Sequence, residues 1–183
     1  MTSKIKVNIL ADGGDNSIIT SDGVGSFTAS SGLASSVQSV GGIQNTPSFL
    51  AYPTAQQSIA NATNVKLNMQ GELYDTDNCF DNVTNYRFTP TVAGKYYLFG
   101  CRRLASASSF NDNSVSIWKN GAAITDTNQP HSYYNVVHTD TIAEANGTTD
   151  YFELYCYQGS GGAINTNFGI GLTRFGGYRI IGA

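Results

Sequence analysis

Short segments that alternate apolar and polar residues, with turn residues between them, run from Asn45 to the end of the chain. Asn64–Met69 alternates strictly, and Asn120-Gly121 lies between two β segments, which is a strong hairpin signal. Further strands are predicted at Tyr86–Phe88, Gly94–Arg103, Val115–Trp118, Tyr151–Tyr157, Gly169–Arg174 and Gly177–Ile181. No stretch has a sustained helical period with capping residues. This spacing is typical of an antiparallel β-sandwich or barrel, so we predict an all-β fold.

Composition supports the same fold class. Only 13% of the 183 residues are charged, which is about half the usual share. Gly, Ser, Thr and Asn take their place, and these residues are common in turns and on polar strand faces. The length suits one ordinary domain with a modest extension, and such a domain can bury a core without metals or disulfides.

The N-terminal 44 residues differ from the rest of the chain. Short strands are predicted at Lys4–Ile9, Ser17–Thr20 and Ser26–Ala29, and residues 30–44 are rich in Ser and Gly, as linkers are. The three strands have too few apolar residues to form a core alone, so we expect them to need a partner. The sequence therefore predicts an N-terminal anchor and linker at 1–44 and a head domain at 45–183. The candidate anchor residues are Ile5, Val7, Ile9, Ile18 and Ile19.

Two predicted strands carry large apolar or aromatic residues on both faces. In Tyr151–Tyr157 and in Gly94–Arg103, residues of both parities are apolar or aromatic, although a lone sandwich should have one wet face on each strand. We infer that the second face is covered by self-association, for which Tyr is well suited. Scattered exposed Tyr residues are the alternative. The candidate interface residues are Tyr97, Phe99, Tyr151, Tyr155 and Tyr157.

Charge and cysteine content narrow the function classes. The net charge of −3 argues against a nucleic-acid binder, which needs a basic patch. The first residues are too polar for a signal peptide and no apolar run spans a bilayer, so we expect synthesis in the cytoplasm without membrane insertion. Cys79, Cys101 and Cys156 are odd in number and lack C-x-x-C spacing, so we expect reduced thiols, with Cys101 and Cys156 buried in strands.

Four segments in order carry a family resemblance. Residues 85–98, NYRFTPTVAGKYYL, resemble the signature of the complement-component-q and tumour-necrosis-factor jelly rolls. PSFLA at 47–51 is similar to the first strand of that fold, IWKNG at 117–121 to its central hairpin, and FGGYRI at 175–180 to its closing strand. The resemblance spans 45–183 and implies an antiparallel jelly-roll sandwich that assembles as a homotrimer.

The N-terminal part resembles something narrower. IKVN at 5–8, DGGDNSII at 12–19 and SDGVG at 21–25 are similar to the opening of structural proteins of marine tailed phages, and 74–78 and 81–86 fit them as well. This resemblance implies a trimeric fibre, knob or capsid decoration on the virion surface, made in the host cytoplasm. A collagen-like stalk, as secreted animal relatives have, is not present in the sequence.

No reactive constellation stands out in the sequence, so we predict no enzyme, no catalytic residue and no cofactor. His131 and His138 could bind a metal only with carboxylates such as Asp126 or Asp140, and their spacing is not diagnostic. An acidic group could supply oxygens to calcium, but a solvated acidic loop is the simpler explanation. That group comprises Asp75, Asp77 and Asp81. We therefore name no metal residue.

The sequence thus predicts a non-enzymatic virion structural protein, a homotrimeric surface appendage that contacts capsid or tail proteins through residues 1–44. The head could adhere to a host-surface glycan or protein, and Tyr133-Tyr134 is the candidate for an exposed receptor-binding loop. Three alternatives stay open, which are a tail-fibre receptor-binding protein, a glycan-trimming hydrolase and, more remotely, a secreted ligand of the same fold.

Overall fold

Every regular element in the described part of the chain is a β-strand. The computed structural model describes residues 9–11, 13–14, 17–21, 27–29, 45–105, 110–129 and 136–181. Among these residues, no helix is long and apolar enough to cross a membrane. The chain divides into two units, Met1–Gln44 and Asn45–Ala183, and the second is called the head below.

The strands are short, as the turn spacing predicts. Their bounds are β1 Ile9–Ala11, β2 Ser17–Ser21, β3 Phe27–Ala29, β4 Ser48–Tyr52, β5 Ser58–Ile59, β6 Val65–Lys66, β7 Gly71–Asp75, β8 Phe80–Asp81, β9 Arg87–Phe88, β10 Gly94–Arg103, β11 Asn113–Lys119, β12 Ala122–Ala123, β13 Thr127–Asn128, β14 Val136–Ala145, β15 Phe152–Gln158, β16 Ile164–Asn165 and β17 Arg174–Arg179.

The N-terminal unit contains a three-stranded antiparallel sheet in the order β1-β2-β3. Ile9 pairs with Thr20 and Leu10 with Ile19. Neighbouring residues of a strand point to opposite faces, yet Ile9 and Leu10 are 52% and 54% exposed. Within the described residues, both faces of this sheet therefore leave an apolar side chain uncovered.

The first sheet of the head has five antiparallel strands in the order β14-β10-β17-β4-β7. Its longest pairing is between β10 and β14, which align over ten residue pairs from Gly94↔Ala145 to Arg103↔Val136. On its other side β10 pairs with β17, and β17 pairs with β4. Burial alternates along β10, because Tyr96 and Leu98 point into the core while Tyr97 and Phe99 point outward.

The second sheet of the head follows the order β12-β11-β15-β9-β8, with β13 added to β11 and β6 added to β15. A separate two-stranded sheet joins β5 and β16. The hairpin from β11 to β12 turns at Asn120 and Gly121, whose φ values of 52° and 82° suit a tight turn between twisted strands. This hairpin prediction is confirmed.

The two sheets pack face to face around an aromatic core. The Phe49 ring of the five-stranded sheet stacks on Phe80 and Phe88 of the second sheet, at centroid distances of 4.9 and 4.3 Å. All three side chains are buried, and full burial of each stabilises the fold by about 1.5–3 kcal/mol. Gly100 lies where a Cβ atom would collide with the Leu154 side chain, so the sheets approach closely at this point.

A charged residue is also buried in the core. Arg102 has no exposed surface, and its Nη2 donates to Asn113 Oδ1 at 2.7 Å, Ser114 O at 2.8 Å and Tyr157 O at 3.3 Å. Arg102 belongs to β10, and its acceptors belong to β11 and β15, so the guanidinium links the two sheets. Burial lowers the pKa of Arg102.

Two strand predictions need correction. The predicted strand Gly169–Arg174 is wrong, because residues 169–173 form a turn in which Thr173 N donates to Gly169 O at 3.0 Å. Gly169 has a φ of 96°, which suits a turn, and the strand begins only at Arg174. Asn64–Met69 forms a strand over Val65–Lys66 only. The three cysteines are free and buried, as predicted for Cys101 and Cys156.

Candidate assembly surface

The outward side of the five-stranded sheet carries a continuous apolar surface. Direct strand pairing places Ile142, Tyr97 and Tyr178 in one row across the sheet. A second row runs from Phe99 through Gly176 to Leu50 and Tyr74. We call these residues the aromatic face, and it consists of Leu50, Tyr74, Tyr97, Phe99, Ile142 and Tyr178.

The rings of the aromatic face contact one another, and several side chains of this face are exposed to solvent. Tyr97 contacts Phe99 and Tyr178, at centroid distances of 6.0 and 5.5 Å. Ile142 is 61% exposed, Tyr74 43% and Tyr178 37%. An exposed apolar patch of this extent on a head domain is typical of a protein–protein interface.

Gly176 allows the Phe99 ring to lie flat on the sheet. A Cβ atom at this position would lie 2.5 Å from Phe99 Cζ and 2.9 Å from Leu50 Cδ1. The glycine therefore lets Phe99 and Leu50 approach each other across β17, which makes the surface flat. Flat apolar surfaces allow close packing against a second copy.

Polar groups lie at one margin of the aromatic face. His138 and Asp140 are exposed on β14, opposite Cys101 and Phe99 of β10. Burial, followed by the charge and hydrogen bond of Asp140, raises the pKa of Tyr97. His131, the other predicted metal candidate, and Tyr133-Tyr134 lie outside the described residues. Among the described residues, no three His, Cys, Asp or Glu side chains come together as a metal site.

The five interface residues predicted from sequence do not share one surface. Tyr97 and Phe99 belong to the aromatic face, whereas Tyr151, Tyr155 and Tyr157 point outward from the seven-stranded sheet on the other side of the sandwich. The aromatic face also contains Leu50, Tyr74, Ile142 and Tyr178, which were not among the five predicted residues. In the sequence each of them is a single apolar residue in β4, β7, β14 or β17. Only the pairing of these strands brings the four side chains to one surface.

Tyrosines on the seven-stranded sheet already have partners in the same chain. Trp118 stacks on Tyr155 at a centroid distance of 4.1 Å, and the Arg87 guanidinium lies 4.4 Å from the Tyr151 ring centroid. Lys66 Nζ and Glu153 Oε1 form an ion pair at 3.0 Å beside them. These rings are half-buried within the monomer, as Tyr97 and Phe99 are. None of the described strands of this sheet carries an exposed large apolar side chain, so this face has less apolar surface to offer a second copy.

Two of the three acidic residues considered for calcium accept hydrogen bonds within turns of the head. Asp75 Oδ2 accepts the Phe80 N–H at 2.7 Å. Asp81 accepts the backbone N–H groups of Val83, Thr84 and Asn85 and the Asn85 side-chain amide. The Thr84 N–H, followed by the other donors, lowers the pKa of Asp81 to about 2 despite some desolvation. Asp77 is exposed.

Only part of the predicted anchor can be located. Ile9 is exposed in β1, and Ile19 is half-buried in β2. Ile18 lies in β2, but its side chain is not among those described, and Ile5 and Val7 lie outside the described residues.

No family model and no curated protein matches the chain. Solved structures do match. The globular domain of the zebrafish complement 1qA protein has a TM-score of 0.55 at 13% identity, over 73% of this chain and 96% of that domain. The head therefore has a jelly-roll fold like that of this domain.

Two further jelly rolls show how widely this fold is used. Murine APRIL matches with a TM-score of 0.55 at 12% identity, over 73% of this chain and 98% of its own. The PRD1 vertex protein P5 matches with a TM-score of 0.55 at 10% identity, over 73% of this chain and 96% of its own. At these identities the likeness shows the jelly-roll fold alone, so function must be argued from the residues of this chain.

Proposed function

We propose that this chain is a non-enzymatic structural protein of a phage particle, displayed on the virion surface as a homotrimer of jelly-roll heads. The observation that carries the proposal is the aromatic face, because it is the largest group of exposed apolar side chains on one sheet of the head. The jelly-roll resemblance implies a trimer, and a cyclic trimer would cover this face on each copy.

The energetics favour association through the aromatic face. Complete burial of an aromatic or aliphatic side chain contributes about 1.5–3 kcal/mol, and six such side chains lie together here. They are already partly buried in the monomer, so each adds less than this on assembly. Association costs about 4–15 kcal/mol in lost translational and rotational freedom, which several such side chains can offset.

The N-terminal unit is proposed to attach the head to capsid or tail proteins. Its three-stranded sheet exposes Ile9 and Leu10 on opposite faces, so it has apolar surface for a partner on each side. Residues 1–44 would form this contact. The phage-like opening of the sequence supports a particle protein as the partner, and PRD1 vertex protein P5 shows that a virion vertex protein can have the head's fold.

A second role, adhesion to the host surface, is compatible with the same assembly. If the aromatic face is covered in the trimer, the outward side of the seven-stranded sheet remains available to ligands. We propose no hydrolase, because neither the sequence nor the described residues bring together a catalytic set that we could name.

The trimer interface is tested by a matched pair of substitutions in the full chain. Ile142→Asp places a carboxylate on the aromatic face, whereas Ile124→Asp makes the same change at an exposed isoleucine just after β12 of the other sheet. Both positions are exposed in the monomer, so each change should alter folding stability by less than about 0.5 kcal/mol. We expect Ile142→Asp to give folded monomers and Ile124→Asp to remain trimeric in light scattering.

Equal behaviour of the two variants would contradict the interface. The particle location is tested separately by antibody labelling of intact virions. Labelling at capsid or tail supports the proposed display, and its absence from purified particles would refute it.

A further inference from the structure

A polar cavity of about 410 Å³ lies beside the hairpin of β8 and β9, at an edge of the seven-stranded sheet. Its volume falls in the range of about 300–1,000 Å³ that is usual for small-molecule sites. The cavity is on the sheet that does not carry the aromatic face, so trimer formation through that face would leave it open. Its location fits a ligand site on the outside of the assembly.

The walls of the cavity are held in place by hydrogen bonds. Asp81 braces the turn that follows it through four accepted hydrogen bonds. Asp75 holds the backbone of Phe80 at 2.7 Å, and Thr89 N donates to Cys79 O at 2.8 Å across the hairpin. A site with fixed walls binds its ligand without a large ordering cost.

Several polar side chains line the cavity and have no hydrogen-bond partner in the described part of the chain. They are the amides of Asn78 and Asn82 and the hydroxyl of Thr89. The Arg87 guanidinium also lines it, held over the Tyr151 ring at 4.4 Å and without an ion pair among the described residues. Together these groups can donate and accept several hydrogen bonds.

The chemistry of the lining defines the ligand. Arg87 and Asp81 are direct cross-strand partners and both line the cavity, so one positive and one negative charge cancel there. A net-charged ligand would gain little from such a site. Apolar lining is limited to the largely buried Phe80 and the buried Cys79 thiol, which disfavours an apolar ligand. A neutral molecule with many hydroxyl groups suits these donors and acceptors best.

We infer that this cavity is the saccharide-binding site of the head, and that its ligand is an uncharged sugar unit of a surface glycan. Vicinal hydroxyls would bond the Asn78 and Asn82 amides and the Thr89 hydroxyl, and Arg87 would donate to a further oxygen. The inference names a ligand class for the adhesive role proposed above and rests on that role for its biological meaning.

The test uses the full chain and a panel of neutral hexoses, 6-deoxyhexoses and N-acetylhexosamines with their short oligomers, at millimolar concentration. Uronic and sialic acids serve as charged comparators. Saturation-transfer NMR identifies the sugars that bind, and calorimetry measures their affinity. We expect a neutral sugar to bind, and the double substitution Asn78→Ala with Asn82→Ala to weaken binding by about tenfold or more. As a control, Asn111→Ala changes an exposed residue that bonds Gly159, just after β15 and away from the cavity. This variant should change the affinity by less than about twofold.

Three results would overturn the inference. These are no binding by any neutral sugar, binding by the acidic sugars alone, or equal loss in the cavity variant and Asn111→Ala. Light scattering on the same samples reports the trimer separately. A trimer that binds no sugar would refute only the saccharide site, and a monomer that binds sugar would refute only the assembly.

Discussion

Ionisation of the Asp81 carboxylate stabilises the turn that follows it. Its pKa of about 2 lies below the ordinary value of 3.8, so the ionised form stabilises the fold. That contribution is complete above about pH 4 and is lost as pH falls through about 2. It should therefore appear as a difference between wild type and a variant at neutral pH, and this difference should disappear as pH falls from about 4 to about 2.

Asp81→Asn is expected to lower the melting temperature at pH 7 by about 2–4 °C, because the turn loses a charged acceptor. Between pH 4 and pH 2 the wild type should lose this advantage, and the two melting curves should converge. Asp126→Asn, at an exposed position, controls for the charge change itself. A constant difference between Asp81→Asn and wild type down to pH 2 would contradict this explanation of the turn.

The buried Arg102 side chain is expected to stabilise the contact between the two sheets. Its side chain fills space in the core and donates to Asn113, Ser114 and Tyr157. Arg102→Ala should reduce the free energy of unfolding by about 3–5 kcal/mol, through a cavity and unpaired acceptors. The neighbouring Arg103 is exposed, and Arg103→Ala should cost less than about 0.5 kcal/mol. Urea denaturation compares them, and similar losses would show that Arg102 does not link the sheets.

Among the elements, β10 and β15 show how far the alternation of apolar and polar residues predicts the surroundings of a strand. Both strands have apolar residues at both parities, so alternation alone did not tell which parity faces the core. At β15 the outward rings pack on Trp118 and Arg87 of neighbouring strands, whereas those of β10 pack on each other and on the exposed Tyr178. Period-2 reasoning could not separate these cases, because cross-strand partners depend on register, and register joins residues far apart in sequence.

Strand boundaries show the same dependence on context. The closing strand was predicted from its resemblance to the jelly-roll signature, and Arg174–Arg179 confirms it. Gly169–Arg174 was predicted as a strand, but a left-handed glycine and hydrogen bonds back to Gly169 O turn the chain there. The polar cavity was not predicted. Its lining residues come from β8, β9 and the segments beside them, and only the fold of this hairpin brings their side chains around one space.

The N-terminal sheet is expected to be dispensable for folding of the head. Deletion of residues 1–44 should leave a folded head, because the described core residues all lie in Asn45–Ala183. The melting temperature of the truncated head should stay within about 2–4 °C of the full chain. Incorporation into particles should be abolished, since β1–β3 are proposed to make that contact.

Purified particles grown with the truncated gene test this prediction by immunoblotting. Truncated heads that still co-purify with virions at wild-type levels would move the attachment site into the head. An insoluble truncated head would show that the two units depend on each other for folding.

On the scale of the whole molecule, the two outward faces of the sandwich have different proposed roles. The aromatic face leaves Ile142, Tyr74 and Tyr178 exposed, which suits burial against a second copy. The seven-stranded sheet has a half-buried aromatic pair and a polar cavity, which suit exposure to solvent and ligands. The trimer is the claim on which this division of roles depends.

Light scattering of the purified full chain, coupled to size exclusion at micromolar concentration, tests that claim most directly. A homotrimer should give a single species with three times the chain mass of 19.5 kDa. Closed cyclic assembly predicts that this mass will not grow with concentration. A stable species of 19.5 kDa at micromolar concentration would contradict the homotrimer.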